Sequence, residues 1–210
     1  YRVYKKSDVQ ILLGNLFDNA IDEDVSNFIE PENEYSVLEL FAGAGGLAVG
    51  LEKAGLKCVA LNEIDKWACE TLRRNRPNWN VLQGDIKDFD FKKYQNKVDV
   101  VTGGFPCQAF SYAGKKLGLH DARGTLFYEF AKVVQVVNPA ICIGENVRGL
   151  LSHENGKTLQ GMISILDEIG YKVAPVQLLK AINYRVPQKR ERLIIVGIRK
   201  DIDIAFEYPK

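Results

Sequence analysis

The sequence contains only two histidines and four cysteines in 210 residues. The cysteines, Cys58, Cys69, Cys107 and Cys142, show no CxxC or Cys/His ligand spacing, which argues against a zinc site and a disulfide framework and suits a reducing cytoplasm. No run approaches the ~18 consecutive apolar residues of a membrane span, and no signal-peptide apolar region opens the chain. An excess of one charge is missing too: 28 Lys and Arg face 27 Asp and Glu, a formal net charge of +1. Any nucleic-acid surface must therefore be a local patch, and part of it can lie outside this chain. Internal repeats and low-complexity segments are absent. What is present, 46% hydrophobic and 26% charged residues, suffices for one sizeable core.

Apolar positions recur at helical spacing over residues 7–29, behind a Ser7/Gln10 capping-box pattern, and Pro31 ends that stretch. From Ser36 the pattern alternates. SVLELF reads as a buried strand, GGLAVGLEKAG as a helix closed by glycine, KCVALNE as a strand, and DKWACETLRRN as a helix stopped before Pro77. VDVVTGG and AICIGEN are short apolar strands separated by the helical pattern LFYEFAKVVQVV. A helix near TLQGMISILDEIG and strands near YKVAPVQLL and RLIIVGIR complete the chain. Strands alternating with helices predict an α/β fold with a largely parallel sheet and right-handed crossovers.

Ligands of such sheets bind beyond the carboxyl ends of the strands, where strand order reverses. The first strand ends in Phe41-Ala42-Gly43-Ala44-Gly45-Gly46, a glycine turn that lets a ligand approach the backbone. The helix behind it offers unpaired N–H groups to an anionic group. Glu63, twenty positions after Gly43, ends the second strand, where a carboxylate accepts from ribose hydroxyls. Together these suggest a nucleoside cofactor, although Gly43-x-Gly45-x-x-Ala48 alone also satisfies dinucleotide binders.

The fourth strand runs into GGFPCQAFS, residues 103–111. Pro106 has a fixed φ and bars Phe105 from helical geometry, so Cys107 sits on a rigid turn of the kind that carries chemistry. Cys58, Cys69 and Cys142 lie inside apolar segments and read as small core residues. A thiol needs a base or a positive field to become a nucleophile, and neither His120 nor His153 is marked as a base. The fifth strand instead ends in Gly144-Glu145-Asn146-Val147. A cysteine and a glutamate at neighbouring strand tips suggest attack on an electron-poor ring whose nitrogen the acid protonates.

In this order ELFAGAGG, NEID, GDI, GGFPCQAFS, ARGTLFYEF, GENVRGL and VPQKRERL resemble motifs I to VI and VIII of the DNA (cytosine-5) methyltransferases, from about Val37 to Arg199. A dinucleotide dehydrogenase would explain the glycine turn and Glu63 but not PCQ, ENV or QKRER. The resemblance implies a Rossmann-like, S-adenosylmethionine-dependent methyltransferase fold: a mixed, mainly parallel sheet with helices on both faces, over residues 35–210, behind an N-terminal helical extension at 1–34. It further implies S-adenosylmethionine held by Phe41, Ala42, Gly43, Ala44, Gly45 and Gly46. Glu63 would hold the ribose, Ile64 would cover the adenine, Asp85 would accept from its amino group with Ile86 alongside, and Leu126 would line the pocket.

By the same resemblance, Cys107 adds to C6 of a flipped cytosine in duplex DNA, Glu145 holds its N3/N4 edge, and Pro106 fixes the thiol. Arg190 and Arg192 alternate at a strand entrance, so both guanidiniums point one way, to cytosine O2, a phosphate or Glu145. Gln108, Ser111, Lys115, Lys116 and Arg123 are candidate DNA contacts. A bacterial restriction-modification enzyme is implied, and no metal.

Family members continue past motif VIII into a target-recognition region and motifs IX and X, of which no segment is recognisable here. The expectation is a fragment of a longer enzyme, or else one subunit of a split enzyme. A scaffolding module is the competing class, and the intact PCQ and ENV argue against it. The isolated 210 residues are expected to transfer little methyl to DNA and to choose no sequence; efficient transfer by them alone, in a tritiated-methyl assay, would contradict this.

Overall fold

In the computed structural model the described residues are 34–106 and 125–209; the helix expected over 7–29 lies outside them. Along the chain come Ser36–Leu40 (β1), Gly46–Lys53 (α1), Lys57–Glu63 (β2), Lys66–Asn75 (α2), Val81–Gln83 (β3), Val100–Gly103 (β4), Leu126–Val137 (α3), Ile141–Val147 (β5), Lys157–Glu168 (α4), Tyr171–Val173 (β6), Gln177–Lys180 (β7) and Glu191–Arg199 (β8). The strands form one sheet ordered β3-β2-β1-β4-β5-β8-β6, with β7 also on β8. β1 pairs in parallel with β2 and β4, as do β2 with β3 and β4 with β5. β8 runs antiparallel to β5, β6 and β7. The chain order thus reverses about β1, between the tips of β1 and β4, as expected for a doubly wound sheet.

Local chemistry explains the elements. Asp65 caps α2 by accepting from Ala68 N at 2.7 Å. Thr125 caps α3 by accepting from Tyr128 N at 3.1 Å, and Asn138 ends it in the left-handed region at φ 55°. Even-numbered β1 residues Leu38 and Leu40 face a core shared with Phe127, Phe130 and Val134 of α3 and Met162 and Ile165 of α4. The opposite face, with Val37, Val100, Ile141, Ile143 and Val196, is covered by Leu51 of α1, by Ala54 just after it, and by Ile204, Phe206 and Tyr208. Helices on both faces follow from this two-sided burial.

Two details depart from the sequence reading. The stretch YKVAPVQLL is two strands rather than one: β6 and β7 pair with successive parts of β8 and are separated around Pro175, which has no N–H to give a ladder. β3 is only three residues long, too short for a periodic signal, and is held through Asn62, whose Nδ2 donates to Leu82 O at 3.0 Å and Gly84 O at 3.2 Å.

Glu39, in register with Thr102 of β4, is 2% exposed, and neither Glu39 Oε2 nor Thr102 Oγ1 has a hydrogen-bond partner among the described residues. Desolvation pushes the Glu39 carboxyl up to about 8, from an ordinary 4.5. The folded chain therefore keeps a proton that the unfolded chain releases, and stability falls as pH rises from about 4.5 through about 8. Glu39→Gln is expected to flatten that decline and to be the more stable variant at about pH 9. Denaturant midpoints across this range check it; an unchanged slope in the variant would refute the assignment.

Candidate active site

The first strand tip is a tightly organised turn. Phe41 takes a left-handed φ of 56°, unusual for a bulky residue, and Gly43 and Gly45 follow at φ 55° and 88°. Gly45 N donates to Ala42 O and Ala42 N to Asn62 O, both at 3.0 Å. A Cβ on Gly45 would stand 2.6 Å from Leu72 Cδ2 and 3.3 Å from the Trp79 ring, so only glycine fits against α2 there. Gly45 starts α1 with no side-chain cap, leaving first-turn N–H groups to other acceptors.

Glu63 links this turn to the second tip. Its Oε2 accepts from Gly43 N at 2.7 Å, and its Oε1 accepts from Ile64 N and Asp65 N, each at 2.8 Å. The carboxylate expected to hold a ribose thus also fixes two loops against each other. Ile64 is 66% exposed beside it. Asp85 caps the single 3-10 turn Ile86–Asp88, with Oδ1 accepting from Lys87 N at 3.0 Å. Ile86, expected beside the adenine, is buried in the core and lines a cavity of about 390 Å³ with Phe89, Phe91 and Val133. Leu126, half-buried, opens α3 and packs on the same core.

The tips of β4 and β5 form the second half of the site. Gly103 lies opposite Gly144 in the ladder. Phe105 is 2% exposed, with its ring 5.1 Å from that of Phe127 and 5.3 Å from that of Phe130. A Cβ on Gly144 would come within 3.2 Å of the Phe105 ring. Asn146, also 2% exposed, donates from Nδ2 to Phe105 O at 2.8 Å, while its Oδ1 accepts from Val147 N at 2.9 Å. This asparagine ties the backbone just ahead of Pro106 to the tip of β5. The sequence reading had not singled it out; the available signal was a polar residue next to Glu145 in a strand, forced by alternation onto the opposite side.

Glu145 occupies the space between the tips. Its Oε2 would be 3.5 Å from a Cβ on Gly104, so its carboxylate stands directly beside the turn leading to residue 107. Arg192 Nε lies 2.8 Å and Arg190 Nη2 3.6 Å from Glu145 Oε1. Both guanidiniums therefore do point one way, at Glu145. The Arg192 contact is an ion pair without hydrogen-bond alignment, because Nε has no acceptor among the described residues, while Nη1 donates to Glu191 O at 2.8 Å.

Cys107, Gln108, Ser111, Lys115, Lys116, His120 and Arg123 lie outside the described residues. Cys69 and Cys142 are buried and Cys58 half-buried. Burial pushes the Cys58 and Cys142 thiols up to about 12 and raises that of Cys69, so all three stay protonated core residues. His153 shares a 2.7 Å hydrogen bond through Nδ1 with Thr158 Oγ1 at the start of α4 rather than standing free in solvent. No group of three or more His, Cys, Asp or Glu among the described residues could hold a metal, and no helix there is long and apolar enough to cross a membrane.

A doubly wound sheet with an uncapped glycine turn at one tip and an arginine-held glutamate at another has the fold of a methyltransferase. The comparisons agree: the C-5 cytosine-specific DNA methylase family matches residues 35–210, and the chain belongs to that family. It is 54% identical over 217 residues to the type II methyltransferase M.Eco47II of Escherichia coli, covering 100% of this chain and 50% of that protein. Similarity to M.Sau96I of Staphylococcus aureus is 48% over 200 residues, covering 93% of this chain and 46% of that one. The chain thus spans about half the length of the curated relatives it matches. Among solved structures, DNMT2 of Spodoptera frugiperda superposes with a TM-score of 0.66 at 26% identity, covering 84% of this chain and 54% of that one.

Asn146→Ala should cost about 1–3 kcal/mol, because Phe105 O loses its partner in a buried place and Val147 N loses one as well. Asn146→Asp, which keeps the acceptor but not the donor, should still expose the Gly104–Phe105 backbone to faster hydrogen exchange. Unaltered exchange there in both variants would show that the tie is not what holds the turn.

Proposed function

We propose that this chain carries the cofactor site and catalytic centre of a DNA (cytosine-5) methyltransferase. The enzyme would move the methyl group of S-adenosylmethionine to C5 of a cytosine flipped out of duplex DNA, as the modification enzyme of a restriction-modification system in the bacterial cytoplasm. The observation that carries the reading is the Glu145 carboxylate, held by Arg192 and Arg190 against the Gly104 turn that leads into Pro106 and Cys107.

The residues at the β1 tip suit S-adenosylmethionine. Among the described residues, a Cβ on Gly43 or Gly46 would meet nothing within 4 Å, which leaves room there for a ligand. The uncapped N-terminus of α1 suits the methionine carboxylate. Of about four lone-pair positions on a carboxylate, Glu63 commits three to backbone N–H groups and keeps acceptor capacity for a ribose hydroxyl. Ile64 lies exposed for the adenine face, Asp85 Oδ2 is left to accept from the adenine amino group, and Leu126 would line the pocket. Burial gives Ile86 the part of a support behind Asp85. When bound, the cofactor supplies an electrophilic sulfonium methyl group.

In this reading the Cys107 thiolate forms a bond to C6 of the cytosine, and the C5–C6 electron pair moves toward C5. Glu145 holds the N3/N4 edge and stabilises the proton at N3, so the ring accepts those electrons. C5 takes the methyl group, its proton leaves to a base, and the C6–S bond breaks to return the thiolate. Arg190 and Arg192 keep the carboxylate aimed and add positive field near the thiol. Flipping costs a few kcal/mol, which contacts from the segment bearing Gln108, Ser111, Lys115, Lys116 and Arg123 would offset. Sequence choice belongs to a further region, in the same chain or a second subunit.

A duplex containing 5-fluorocytosine, incubated with the enzyme bearing this chain and S-adenosylmethionine, should yield a denaturant-resistant protein–DNA adduct. Cys107→Ser should abolish it, and Glu145→Gln should slow methyl transfer by about 10²–10⁴-fold. No adduct with the unaltered enzyme would end the proposal.

A further inference from the structure

Beyond the strand tips, one turn stands out. Residues 181–190 join β7 to β8 and lie past the carboxyl end of β5, because Arg192 of β8 is in register with Val147. The turn is closed by hydrogen bonds from Ala181 N to Arg190 O at 2.8 Å, Val186 N to Ala181 O at 3.2 Å and Gln188 N to Val186 O at 2.7 Å. It therefore projects from the same edge as Glu145, with Arg190 at its base reaching that carboxylate.

At its apex Arg185 takes a left-handed φ of 57°. A long side chain in that region costs free energy that glycine or asparagine would avoid, and such strain marks functional positions. Arg148 and Lys180 nearby are ion-paired to Glu191. Exposed Arg185 and Lys189, in contrast, have no acidic partner among the described residues. Ile182 and Val186 in the same turn are 60% and 46% exposed, an apolar surface that water does not favour.

We infer that the 181–190 turn is a phosphate clamp: Arg185 and Lys189 grip the DNA backbone flanking the flipped cytosine and set the duplex over Glu145. The inference rests on the functional reading above and adds a contact surface to it. Two cations without an acidic partner among the described residues, beside a site for an extruded base, match the phosphates that flank it. Ile182 and Val186 would pack on deoxyribose faces. These contacts carry no base information, so they position the duplex without choosing its sequence.

The test is fluorescence anisotropy of a labelled duplex with the whole enzyme bearing this chain, titrated from about 50 to about 200 mM salt. Arg185→Gly, Arg185→Ala and Lys189→Ala should each flatten the log–log salt dependence by about 0.9, and the Arg185/Lys189 double variant by about twice that. The loss should be equal on unrelated duplexes. Arg185→Gly should keep or raise the thermal midpoint without DNA, since glycine relieves the strain, which separates a DNA role from a structural one. Unchanged salt slopes, with duplex binding and the 5-fluorocytosine adduct intact, would overturn the clamp alone. A loss confined to one sequence would also overturn it. Failure of the unaltered enzyme to bind duplex or form the adduct would instead overturn the methyltransferase reading.

Discussion

The site depends on how closely two neighbouring strand tips approach. Phe105 is buried between Phe127 and Phe130 of α3 and over Gly144 of β5, where a Cβ would stand 3.2 Å from its ring. A Cβ on Gly103 would likewise be 2.8 Å from Phe130. The glycines at 103 and 144 are needed because an aromatic cluster fills the space their side chains would take. With Phe105 anchored on one side and its carbonyl tied to Asn146 on the other, the backbone emerges toward Pro106 in one direction. The turn is aimed by packing and by one hydrogen bond, and proline then limits what the following residue can do.

Electrostatics at the second tip follows from the antiparallel strand. β8 and the residue just before it bring Arg192 and Arg190 to a carboxylate 45 residues or more before them in the chain, and alternation lets both reach the same oxygen of Glu145. An arginine pair presents charge in a fixed plane, which suits the aiming of a carboxylate better than a flexible ammonium does. The remaining basic residues of the turn preceding β8 stand outside this pairing, which is why they are available for a different anion.

The β1 and β2 tips share a scaffold with the β4 and β5 tips. Glu63 accepts from Gly43 as well as from its own neighbours, so the β1 and β2 tips move together. β1 in turn pairs with β4, whose end leads to Phe105. Glu39 and Thr102 sit across from each other in that pairing with no partner for Glu39 Oε2 or Thr102 Oγ1 among the described residues, a cost in stability carried at the centre of the sheet.

Much of this was legible in residue order. Continuous apolar strands, the glycine turn and the positions of Glu63, Glu145, Arg190 and Arg192 are local features, set by short-range sterics and by alternation. The three-residue β3, the burial of Ile86, and the tie from Asn146 to Phe105 were not, since each depends on residues distant in the chain, while the break at Pro175 was a local signal that the sequence reading passed over. That Arg190 and Arg192 choose Glu145 over the other anions open to them also needed the β5–β8 register. Sequence alone determined which groups stand at strand ends, because helix and strand periodicity is a local property. Only the tertiary structure decided which of those groups meet, because contact between strand tips is a matter of strand order and packing, and neither is encoded within any one segment.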